Sequence, residues 1–293
     1  MISQIDAGQT DREPIGGGQI DSGQIDQRER DVVLVEDAHI RPMMGLEILE
    51  PLPSRPIPYQ LVDPFILVHE GVVPITPEWA SRDTKHPHRG FDNLWYLIAG
   101  SASTGHSTGP GGAMERARLQ TGSLLKLRTG RGVYHAEGIG EDELREGKAG
   151  TEMRGLLFWV NLARKDKHAE PTAQILEPED VPVRHEGDAI VRVLVGEGSP
   201  VELGTPGLVL DVELPKGGGF RSPVPSDFNA FVYMLEGEAN FGANTRRTRR
   251  SQIAVLGPGQ AVSLVEAQSG TRFLLMAGKP YGETPVYNGP YVD

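Results

Sequence analysis

Two stretches of this chain align on each other without gaps. HPHRGFDNLWYLIAG at 86–100 sets against PVPSDFNAFVYMLEG at 223–237, pairing Tyr96 with Tyr233 and Gly100 with Gly237, each 137 residues apart. A second pair, LQTGSLLKL at 119–127 and LGPGQAVSL at 256–264, matches Gly122 with Gly259 at the same spacing. A repeat of this length means that one folding unit is built twice, which limits the chain to two similar domains. The copies run roughly over 32–165 and 185–293, with 166–184 as linker.

The texture of each copy is that of strands. Runs such as DVVLVE, FILVHE, NLWYLIAG, GLLFWVNL, GLVLDVEL and FVYMLEGE are short, rich in Val, Leu, Phe and Tyr, and bounded by Gly and Pro. No segment keeps a helical period. With 37 Gly and 23 Pro the chain is built of turns and strands, so each copy reads as an all-β barrel or sandwich. Residues 1–31 stand apart: they repeat QID three times, are rich in Gly, Gln and Asp, and offer too little apolar surface to offset the entropy of ordering. They are expected to form a disordered tail.

Charge and composition then remove whole classes of function. A net charge of −11 repels phosphate backbones and anionic membranes, so neither nucleic acid nor membrane is an expected partner. The one basic run, TRRTRR at 245–250, reads as a solvated hairpin loop. Cysteine is absent, which excludes disulfides, thiolate metal sites and cysteine nucleophiles. There is no basic-then-apolar leader and no long apolar run; a soluble cytoplasmic protein is expected.

The copies differ where it matters. His86 and His88 in the first copy stand opposite Pro223 and Pro225 in the second, so the first has been given a task that its twin lacks. Further on, TGRGVYHAEG at 129–138 supplies His135 and Glu137. In a strand, residues i and i+2 share a face about 6.6 Å apart, and neighbouring strands lie about 4.8 Å apart. Two such pairs on facing strands converge, and His86, His88, His135 and Glu137 then form a metal site. Pro87 removes a ladder donor and suits a strand at a barrel mouth.

HPHRGF followed by a strand, with TGRGVYHAE some forty residues on, resembles the signature of the pirin family, a branch of the bicupin proteins. DPFILVHE (63–70), FWVNL (158–162), AVLGPG (254–259) and MAGKPYGETPVYNGPYV (276–292) resemble it too, so that the likeness covers everything after the tail. The resemblance implies two stacked cupin barrels with one metal, generally iron, in the N-terminal barrel, held by His86, His88, His135 and Glu137. It implies either quercetin 2,3-dioxygenase activity or a regulatory role exercised through a protein partner. Some positions depart from the family pattern: Ser123, Lys126 and Arg128 in TGSLLKLRTGRG, and Asp92 in place of a glutamate. Relatives also continue past the position of Asp293 into a helical segment.

Three neutral imidazoles and one carboxylate leave a divalent ion with net charge about +1 and, in an octahedron, two adjacent open positions. That arrangement suits Fe(II), with Mn, Ni, Cu and Zn as alternatives; tetrahedral zinc would close the site. Glu137 is the only carboxylate of the set, and is expected to double as the base that takes the hydroxyl proton from a small aromatic enol. The alternative is a non-catalytic metal or redox sensor that binds a protein. Lys126 and Arg128, if at the barrel mouth, would draw an acidic ligand. Gly130 and Gly132 read as a turn presenting His135 rather than a phosphate cradle. His69 reads as structural and His106 as solvated in a mobile loop; His39, His168 and His185 receive no role.

Overall fold

The computed structural model describes residues 28–145 and 151–293. Each copy packs a seven-stranded antiparallel sheet against a four-stranded one, giving two stacked cupin-type barrels. Alternation along the strands decides where the core sits. In Phe91–Ala99, Leu94, Tyr96 and Ile98 point toward the other copy, while Trp95 and Leu97 point into their own barrel. The two large sheets thus meet back to back, with Phe65, Phe158, Phe231 and Leu274 among the fully buried side chains between them.

The interior of the C-terminal barrel is packed solid by 22 buried apolar residues, among them Phe220, Phe241 and Phe273, whereas 8 line the interior of its N-terminal twin among the described residues. The N-terminal barrel keeps room for something else.

Its pseudo-symmetry is also written in polar groups. The Tyr96 hydroxyl donates to Asp211 at 2.7 Å, and Arg272 donates to the same carboxylate at 2.9 and 2.7 Å. On the other side the Tyr233 hydroxyl donates to Glu70 at 2.6 Å, joined by Arg154 at 2.8 Å. Each barrel therefore supplies a tyrosine to a carboxylate of the other. The repeat is real, but its spacing is not constant. Tyr96 lies beside Leu124, and its counterpart Tyr233 beside Ile253, so Gly122 corresponds to the turn at Ser251 rather than to Gly259. The second sequence match is a coincidence between two different turns, because the C-terminal copy has shorter loops.

The copies also exchange their ends, which moves the expected boundaries. Val32–Asp37 pairs with Gln252–Leu256 in the C-terminal sheet, with Val32 in that barrel's core. Thr172–Leu176, expected as linker, pairs with Leu124–Arg128 and extends the N-terminal sheet; the flanking prolines had hidden so short a strand. The run at 245–250 is likewise not a bare loop, since Arg246–Arg249 forms an exposed strand against Glu238–Phe241.

Most of the expected tail, residues 1–27, lies outside the described residues, but Arg28–Asp31 do not fit that expectation. Glu29 bridges to Ala261, and Arg30, 1% exposed, donates to the carbonyls of Gly257, Pro225 and Phe228 at 2.9, 2.7 and 2.9 Å. A buried guanidinium that satisfies three carbonyls is structural. Arg30→Met strands those acceptors and is expected to cost about 2–3 kcal/mol, a fall in Tm of about 5–10 °C by calorimetry. Removing residues 1–31 should do at least as much rather than leave stability unchanged.

Candidate metal centre

His86–His88 is the edge strand of the N-terminal four-stranded sheet, where Pro87 sacrifices no ladder bond of consequence. It pairs with Val133–Gly138 so that His135 lies opposite His86 and Val133 opposite His88. The turn before His135 needs its glycine: a Cβ at Gly130, whose φ is +43°, would come within 2.1 Å of the Ala169 carbonyl oxygen. That is the turn reading, not a phosphate cradle.

The three imidazoles converge, with one ligating atom from each lying within 4.8 Å of the others. His135 Nε2 is 3.0 Å from His86 Nε2. The other ring nitrogens show why these atoms face inward. His86 Nδ1 donates to the Thr84 carbonyl at 2.6 Å, and His88 Nδ1 faces the Pro290 carbonyl at 3.4 Å. A carbonyl only accepts, so each Nδ1 carries the proton and each Nε2 is left as a lone pair. Lone pairs aimed at a common point repel one another unless a cation lies between them, and three neutral imidazoles are a good donor set for a divalent transition metal. Burial, reinforced by the neighbouring His86, pushes His88 down to about 3. Burial and the other histidines likewise hold His135 well below its ordinary value. Both rings are neutral at physiological pH, as ligation requires.

Glu137 lies on the same face two residues beyond His135, but its carboxylate is outside the three-histidine cluster. Its Oε2 is 4.0 Å from His135 Nδ1, and neither atom has a hydrogen-bond partner. Burial raises its pKa, and the nearby His86 lowers it in part. Its side chain is 23% exposed, on the border of a cavity.

That cavity, about 150 Å³, is walled by Trp79, Trp95, Ile48, Leu157 and Met153, with His86, Glu137 and His69 as its ring and carboxyl groups. Behind the histidines, Trp159 stacks on Phe91 at 4.1 Å, and both rings lie edge-on to His88.

Several expectations change here. Lys126 and Arg128 are not at the mouth: they share a face turned away from the barrel interior, where Arg128 pairs with Asp92 at 3.0 Å and Lys126 lies 3.9 Å from it. The shorter Asp92 is thereby matched to its cations. His106 is not in a loop; it ends the strand Ser101–His106, is 5% exposed and bonds Thr108 at 2.8 Å.

What the sequence reading missed is the return of the C-terminal segment. Val292 is fully buried against Phe91 and Ile66, Arg89 pairs with Asp293, and Gly90 leaves space that any Cβ would deny to the Val292 carbonyl. Lys167 clamps this crossing by donating to Gly90, Asn161 and Val292 at 2.9, 2.8 and 3.2 Å. Burial lowers Lys167 to about 8, and Asp293 only partly offsets it. The native chain releases this proton before the unfolded chain does, so stability rises with pH between about 8 and 10.5. Chemical denaturation should show a rise on the order of 1–3 kcal/mol over that window, absent in Lys167→Met.

Comparison with known proteins places this geometry. Residues 209–293 match the pirin C-terminal cupin domain. A pirin-like protein of Solanum lycopersicum is 34% identical over 80% of this chain and 76% of its own length, and pirin of Homo sapiens is 33% identical over 71% and 70%. Among solved structures, a quercetin 2,3-dioxygenase from Acinetobacter baumannii superposes with a TM-score of 0.77 at 25% identity, covering 90% of this chain and 91% of that one. The Escherichia coli pirin YhhW in complex with nickel(II) shares the fold, with a TM-score of 0.64 at 14% identity over 84% of this chain and 99% of that one. With its paired barrels, its histidine cluster and relatives of this identity and coverage, the chain belongs to the pirin family.

Proposed function

We propose that this protein is a metal-dependent dioxygenase that cleaves a flavonol-like enol with molecular oxygen. The observation that carries the reading is that one apolar, tryptophan-walled cavity opens onto both His86 and Glu137. Such a pocket suits a planar aromatic ligand that ends in a chelating oxygen pair. His86, His88 and His135 would hold the metal, Fe(II), with Glu137 as its fourth ligand. When bound, that metal would supply a Lewis acid and redox centre. The protein's own part is to exclude water with Trp79 and Trp95, fix the tautomers through Thr84 and Pro290, and take the enol proton at a Glu137 carboxylate oxygen.

The test is oxygen uptake by protein reconstituted anaerobically with Fe(II), Mn(II), Ni(II), Cu(II) or Zn(II), against a flavonol panel. Turnover with one redox-active metal is expected. In Glu137→Gln of equal metal content it should fall by about 10²–10⁴-fold if the carboxylate is the base. A wild-type rate in that variant removes the base role. No turnover with any metal replaces the enzyme by a metal-sensing regulator that acts through a protein partner.

A further inference from the structure

His69 lines the same cavity as His86 and Glu137, yet belongs to a different sheet, on the strand Phe65–Pro74. It is 6% exposed. Its Nε2 is 2.5 Å from Glu50 Oε2, and Glu50 is in turn bound by Arg41 at 2.6 Å. Burial raises the Glu50 carboxyl, but the bonds from His69 and Arg41 outweigh it and hold the group below its ordinary value, as an ionised acceptor. An ionised carboxylate at Nε2 draws the proton to that nitrogen. In the neutral ring Nδ1 is then left as a lone pair, and it is buried and without a hydrogen-bond partner. A buried acceptor with nothing to accept costs on the order of 1–3 kcal/mol. The walls around it are largely tryptophan, leucine, isoleucine and methionine, with the Trp79 and Trp95 indoles and Thr84 among the few groups that carry a donor.

We infer that His69 Nδ1 is the second polar anchor of this cavity: it accepts a hydrogen bond from a hydroxyl carried by the ligand at a distance from its metal-chelating group. The inference rests on the proposed reading of the cavity as the substrate pocket, and it adds a second point of attachment for that substrate. The metal-chelating end fixes the reacting atoms, and the Arg41–Glu50–His69 chain fixes the far end. A site built to pair a hydroxyl discriminates strongly against an analogue without one, because the buried acceptor is left unpaired.

The experiment compares quercetin, which carries distal hydroxyls, with 3-hydroxyflavone, which carries only the chelating pair. Binding to metal-loaded protein is followed by calorimetry and by quenching of tryptophan fluorescence. Wild type is expected to prefer quercetin by at least about tenfold. His69→Leu should abolish that preference while 3-hydroxyflavone affinity and metal content stay unchanged. If His69→Leu fails to fold because Glu50 is stranded, the double variant with Glu50→Gln removes the charge and is read in the same way. Equal affinity for both ligands in wild type, or a preference that survives in the variant, overturns the anchor and leaves the pocket assignment standing. If neither flavonol binds, the flavonol reading fails, and the anchor is judged on phenol against toluene. A hydroxyl preference lost in His69→Leu supports it, and none in wild type overturns it.

Discussion

Alanine at His135 is expected to weaken metal binding by at least about a hundredfold and to leave the fold intact. His135 is fully buried, sits opposite His86 in the ladder and places its Nε2 3.0 Å from the Nε2 of its neighbour, so it is central to the cluster. Its loss leaves two imidazoles on one edge strand, which no longer surround an ion. His86→Ala combined with His88→Ala should remove binding altogether. Glu137→Gln should weaken it far less, because the Glu137 carboxylate stands off the histidine group. Metal titration by calorimetry, with circular dichroism to check the fold, separates these variants. Equal losses for His135→Ala and Glu137→Gln would mean that the carboxylate is as central as the imidazoles.

The second large effect is far from that site. Asp211→Ala is expected to cost about 3–5 kcal/mol, which should lower Tm by about 10 °C or more. Asp211 is fully buried, accepts from Tyr96 and twice from Arg272, and lies 3.6 Å from Arg192. Removing it leaves a cation that is 18% exposed and a tyrosine hydroxyl without their acceptor, at the seam that joins the barrels. Glu213→Ala, which breaks an exposed pair with Arg192, is the control and should cost less than about 1 kcal/mol. A calorimetric transition that splits in two for Asp211→Ala would show that the seam makes the barrels cooperative.

The parts of this architecture that alternate were legible in the sequence. Period-two runs of Val, Leu and Phe dictate strands, and the HxH and HxE pairs share a face because strands force them to. The contrast of His86 and His88 with Pro223 and Pro225 located the site in one copy. Contacts made by chain ends were not legible, since nothing local in Arg30 or Val32 says that the segment crosses to the far barrel. The same holds for Pro290, whose carbonyl orients His88 from 202 residues away. Lys126 and Arg128 show the limit of face assignment: alternation put them on one face together, but only the packed second barrel shows that this face looks away from the cavity. The place of His69 ahead of the metal motif suggests no more than a structural role. Its orphaned Nδ1 emerges only when Glu50, on a neighbouring strand, is seen to hold the other nitrogen.

The contrast between the copies predicts that one barrel binds metal and its twin does not. Elemental analysis of the purified chain, stripped and then reloaded with Fe(II) under anaerobic conditions and freed of loosely bound ions, tests it most directly. One ion per chain is expected in wild type and none in the His86→Ala, His88→Ala double variant. Two ions per chain, or one that survives in the double variant, would contradict it.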